Sequence, residues 1–145
     1  MVVRQVRHEV GTAASNRPAT DAASSNPNNT TYSLGGNNIH NTKQTQLIKF
    51  IVNDLKYLRN TLTSTHIVWC DILPRQQWRD NTSSSPKELN VKRKRINHAA
   101  RKCIKEMQNA SFISPKIPWH ITELFLDDGV NLSDMSNMVY HQTLK

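Results

Sequence analysis

The chain predicts an α/β fold: a small sheet of about three parallel strands joined by crossover helices. Three observations point there. Two long stretches carry apolar residues at three- and four-residue steps, the period of a helix, with short β-prone runs before, between and after them. The run at 65–70 is apolar on consecutive positions, as suits a strand covered on both faces. A third, shorter helical stretch closes the order strand, helix, strand, helix, strand, helix.

Residues 1–29 hold little beyond Ala, Ser, Thr, Asn, Pro and a few charges. No apolar period there could bury enough surface to offset the entropy of ordering the chain, so they read as a disordered low-complexity tail. The folded part is then 30–145. It opens with a β-prone run at 30–34 that ends in Gly35-Gly36, a pair suited to a tight turn and close backbone approach. From residue 41 Leu47, Ile48, Ile51, Leu55, Leu58 and Leu62 form one apolar stripe, with Asn41 as expected N-cap and Gln44 completing a capping box.

The strand at 65–70 leads into a long loop at 71–84 holding Pro74, Arg75, Trp78 and Arg79. The second helix is announced by Ser85 as cap, Pro86 at its first position and Glu88 three residues after the cap. Leu89, Ile96, Ala100, Cys103, Ile104 and Met107 share one side, and Lys87, Lys94, Arg95, Arg101, Lys102 and Lys105 the other. A short strand at 111–113 is ended by Pro115 and Pro118. After a loop with Trp119 and His120, Ser133 caps a last helix at 134–144 with Asp134 in its first turn.

Composition narrows the function. The chain lacks the continuous apolar run of a signal peptide or a bilayer-crossing segment, which predicts an intracellular protein without membrane association. Its two cysteines, Cys70 and Cys103, have neither metal-ligand spacing nor the density of a disulfide scaffold, and read as buried thiols. The six histidines, His8, His40, His66, His98, His120 and His141, show no ligand pairing, and no cofactor is expected. Trp69, Trp78 and Trp119 read as core or loop anchors, without a nucleic-acid-binding signature around them. A net charge of +8 favours attraction to polyanions.

The segments that carry chemistry are Leu34-Gly35-Gly36-Asn37-Asn38 and Asp127-Asp128-Gly129-Val130-Asn131-Leu132-Ser133-Asp134. In order and spacing they resemble the last two sequence blocks of the SGNH (GDSL-type) hydrolases, Gly-x-Asn-Asp and Asp-x-x-His. The flavour is that of the SGNH domains in animal retroelement reading frames. The resemblance covers residue 30 to the end and implies a partial flavodoxin-like/SGNH three-layer sandwich. It also implies ester hydrolysis by a serine nucleophile, a histidine base, an orienting aspartate and an oxyanion hole that includes an asparagine. Residue by residue, Asn37 matches the oxyanion asparagine and Asp128 the aspartate, while Asn131 stands where the family has its histidine. Asn38 replaces the family's second Asp.

The nucleophile has no counterpart either. The family carries it in a Gly-Asp-Ser-like turn well upstream, and no Gly-Asp-Ser or Gly-x-Ser-x-Gly occurs here. Ser24 and Ser25 lie in the low-complexity stretch, not a strand-helix-strand unit away from Asn37. A serine needs a base that takes and returns its proton, and an amide cannot do so at neutral pH. Losing serine and histidine together costs about 10⁶ in turnover in a serine-protease-like triad. The sequence therefore predicts a truncated, catalytically inactive relative of these esterases.

Two further expectations follow. In the family the strand before Gly-x-Asn-Asp pairs with a central first strand, so this chain should expose that flank as an open edge prone to self-association. The alternative function is a basic module that binds nucleic acid or another polyanion through the 87–107 helix, where Lys92-Arg93-Lys94-Arg95 form a charged run.

Overall fold

A computed structural model describes residues 3–5, 29–33, 36–78 and 83–143. The described residues form β1 (Val3–Gln5), β2 (Asn29–Ser33), α1 (Gln44–Thr61), β3 (His66–Cys70), α2 (Pro86–Lys105), β4 (Ala110–Ile113) and α3 (Asp134–Thr143). All strand pairs are parallel, in the order β1-β2-β3-β4. This is the expected α/β architecture with one strand more than the sequence suggests. Val3–Gln5 falls within the stretch read as tail, and it pairs with β2 on the flank expected to be open. Three residues are too few to show a period, so the ladder and not the local pattern defines this strand. The remainder of the tail, 6–28, lies outside the described residues.

Strand residues alternate between faces, and the two faces of β3 meet different helices. Ile67 and Trp69, both fully buried, pack with Leu47, Ile51 and Leu55 of α1 and Leu89, Ile96 and Ala100 of α2. Cys70 points the other way, where its Sγ lies 3.1 Å from the Tyr140 hydroxyl of α3. The layers are thus α1 and α2, the sheet, and α3. Burial pushes the Cys70 thiol up from its ordinary pKa, against a smaller lowering from the Tyr140 hydrogen bond.

Local signals decide where the helices begin. At α2 the expected capping box is present: Ser85 Oγ accepts from Glu88 N and Glu88 Oε2 from Ser85 N. At α1 the expectation of an Asn41 cap is corrected. Thr42 N bonds back to Asn38 O, which extends the preceding turn, and Asn41 Oδ1 is taken by the Thr42 hydroxyl. The helix starts at Gln44 behind Lys43, which makes no side-chain cap bond. Instead Lys92 of α2 donates from Nζ to Ile39 O and Thr42 O, tying that turn to the neighbouring helix. At the far end of α1, Arg59 donates to Leu62 O, Thr65 O, Gln108 O and Asn109 O, joining the α1–β3 and α2–β4 turns.

Candidate functional site

In parallel α/β sheets ligands bind beyond the carboxyl ends of the strands, where the loops converge. Here those loops are the one-turn helix Gly36–Asn38 after β2, the segment 71–78 after β3, and 114–133 after β4. Arg75 is the residue that brings the first two together. Its Nη2 donates to Asn37 Oδ1 at 3.1 Å, and its guanidinium lies over the Trp78 ring, 5.3 Å from the centroid. Gly36 lies against it, and a Cβ there would stand in ordinary contact at 3.4 Å from Arg75 Nη2.

The Arg75 backbone is itself fixed from α2. Asn90 Oδ1 accepts from Arg75 N, and Asn90 Nδ2 donates to Arg75 O at 2.7 Å. Asn97 repeats the device three residues earlier in the loop, at Ile72: its Oδ1 accepts from Ile72 N and its Nδ2 donates to Ile72 O. Asn90 and Asn97 are almost fully buried although each is polar. They splint an irregular loop whose backbone groups would otherwise be buried without partners.

The third loop turns on Asp128 and Gly129. A bridge between Phe125 and Leu132 closes its base, and Gly129 N bonds to Leu126 O across the turn. Gly129 has φ 60°, and a Cβ there would meet Gln77 Cγ at 2.7 Å, so a side chain is excluded by both space and conformation. Its carbonyl accepts from Gln76 N and Gln77 N, at 2.8 and 3.0 Å, which docks the turn onto the Arg75 loop. Asp128 Oδ1 accepts from Val130 N and Asn131 N, both at 2.9 Å, and Oδ2 accepts from Asn131 Nδ2 at 2.5 Å. The Asn131 and Val130 amides hold the Asp128 carboxyl below the usual carboxylate range, with a smaller contribution from the Arg75 charge.

The structure therefore brings Asn37 and Asp128 to one end of the sheet, each beside Arg75, with Asn131 in hydrogen-bond contact with Asp128. Leu34 and Gly35, the start of the Asn37 loop, lie outside the described residues, as do Ser24, Ser25 and Arg79. With its Oδ1 turned to Arg75, the Asn37 amide nitrogen faces away from the guanidinium. The Asn131 side chain donates to Asp128, and as an amide it has no basic nitrogen to receive a proton.

Arg75, Asn90 and Asn97 escaped the sequence reading as site builders. Asn90 and Asn97 are seven residues apart on the buried side of α2, and a polar pair interrupting an apolar stripe is the signal in the sequence that marks them. A further polar cluster stands at the opposite, amino-terminal end of the strands: His66 Nδ1 is 2.9 Å from Asn109 Oδ1 and His66 Nε2 is 2.9 Å from Ser111 Oγ. The Asn109 amide group, donating to Ser64 O, presents its oxygen to the imidazole. The described contacts make this a clasp between the starts of β3 and β4, remote from the three loops. Among the described residues, no helix is long and apolar enough to cross a membrane.

No protein-family model and no curated protein matches the chain. Eight solved chains do. One, from Streptococcus pneumonia and described as a candidate platelet activating factor, superposes with a TM-score of 0.63 over 81% of this chain at 16% identity. This chain spans 57% of the length of that one. What the two share is the α/β fold.

Proposed function

We propose that the chain is a degenerate SGNH-hydrolase-like domain in which Asn37, Asp128 and Asn131 occupy the former oxyanion, acid and base positions and ester hydrolysis is lost. The observation that carries this reading is the Asn131 contact with Asp128. The aspartate keeps the orienting hydrogen bond expected of its role, while the group it orients cannot shuttle a proton. Whatever hydroxyl or water approached Asn37, nothing at 131 would deprotonate it. The fold shared with the streptococcal chain and the loop positions at the carboxyl strand ends support the reading, as does the likeness to retroelement-borne domains. An oxyanion donor of this type lowers a barrier by about 3 to 4 kcal/mol where chemistry operates. The test is turnover of an activated acetyl ester by the purified chain beside the Asn37→Ala/Asp128→Ala variant. Equal rates are expected; a rate in the parent tenfold above the variant would overturn the reading.

A second reading is favoured by α2, which carries eight Lys and Arg residues against the single acid Glu88. In that reading the domain is a basic module that binds a polyanion, with the hydrolase-like fold as scaffold.

A further inference from the structure

The cations of α2 are divided by face, and the division makes a groove rather than a patch. Within the run 92–95, Lys92 is turned toward α1 and Arg95 stands exposed on the outer side. Arg93 is buried, with Nη1 donating to Ile72 O at 2.8 Å and Nε to Asn90 Oδ1 at 3.3 Å. Lys94 lines a cleft of about 660 Å³ between α2 and the loop at 114–118. Four and seven residues on, His98 and Arg101 continue that lining along the same helical face. Lys116 faces them from the loop, stiffened by Pro115 and Pro118, and Arg93 contributes to the floor.

The cleft holds four Lys and Arg side chains and one carboxylate, Asp71. That carboxylate is already engaged: Trp69 Nε1 donates to Oδ1 at 3.1 Å, Ser114 Oγ to Oδ2 at 2.7 Å, and Arg101 Nε lies 3.7 Å away. Its charge opposes the fall in the Arg93 pKa that burial causes. One turn beyond, Lys105 extends the stripe. Arg101 and Lys105 both stand 5.7 Å from the ring centroid of Phe112, on the edge strand β4. From Lys94 to Lys105 the stripe runs about 16 Å at the helical rise, longer than a single phosphate needs. Lys94 and Arg101 on one wall and Lys116 on the other can flank a single phosphodiester backbone.

We propose that this cleft binds the phosphodiester backbone of single-stranded nucleic acid, with Lys94, Arg101, Lys105 and Lys116 contacting phosphates over the positive floor of Arg93. The proposal rests on the basic-module reading and adds to it a site, a strandedness and a set of contacts. It is independent of Asn37, Asp128 and Asn131, none of which lines the cleft.

The test is fluorescence anisotropy at low salt with a labelled thymidine oligonucleotide of about 16 nucleotides. The Lys94→Glu/Lys116→Glu variant is expected to bind about tenfold or more weakly, with a salt slope shallower by about 1.4, two single-strand phosphate contacts. Arg95→Glu/Lys102→Glu makes the same charge change on exposed residues outside the cleft. It should stay within about twofold of the parent, since an untargeted charge acts only through the screened general field. Unchanged circular dichroism shows that each variant is folded. Equal weakening by both pairs would overturn the cleft while leaving the basic-module reading in place. Preference for a duplex of the same length, or displacement by millimolar inorganic phosphate, would overturn the single-strand assignment. Failure of the parent to bind at low salt would sink the module reading with it.

Discussion

Asp128 is held by the groups of its own turn. Its carboxylate accepts two backbone amides and the Asn131 side chain, and these fix the turn whether or not any reaction follows. The same bonds set a pH dependence. A carboxyl held low in the folded state contributes its stabilisation fully above its ordinary pKa of about 3.9, and loses it as pH falls through the depressed folded value. The turn should therefore stay ordered through pH 4 and loosen only below it. Following the Asp128 carboxyl carbon by NMR should give a midpoint below the ordinary carboxylate value, and a midpoint at or above that value would contradict the described bonds. Gly129 was legible in the sequence as a turn residue, because Asp-Gly announces a positive φ. That its carbonyl would anchor the Arg75 loop was not, since Gln76 and Gln77 are more than fifty positions away.

Among the elements, α2 was the most legible and also hid the most. Its start follows from Ser85, Pro86 and Glu88 alone, because a capping box is a local arrangement. Its buried polar residues respond to the irregular loop after β3, a tertiary demand that periodicity does not encode. Asn97 is the clearest case: by satisfying both Ile72 N and Ile72 O it allows the loop to pass under α2 without unpaired groups. Replacing it by leucine keeps the volume and strands the Ile72 N–H, which should destabilise the protein by about 1 to 3 kcal/mol. Urea unfolding would read this as a lower midpoint with an unchanged slope. A midpoint equal to or above that of the parent would show that the amide bonds add nothing. The start of α1 failed to follow from sequence for the converse reason. A cap-like residue at 41 is present, but it lies inside the turn from Asn38 to Thr42 and its Oδ1 is taken by the Thr42 hydroxyl.

At the scale of the molecule, the parallel order and the crossovers followed from alternating periods, whereas β1 came from pairing across a gap in the pattern. The two helices after β2 and β3 pack on one face and α3 on the other, so the loops after three strands converge at one end. That convergence is a property of the fold, and it persists whatever chemistry the loops carry. The proposed function makes the loop cluster a former hydrolase site without its proton carrier. Serine-reactive phosphonate labelling, mapped by mass spectrometry, addresses this most directly, because a serine gains reactivity toward such a probe only when a base activates it. The account predicts no serine labelled above a heat-denatured control. A stoichiometric adduct on a serine that disappears in the Asp128→Ala variant would contradict it.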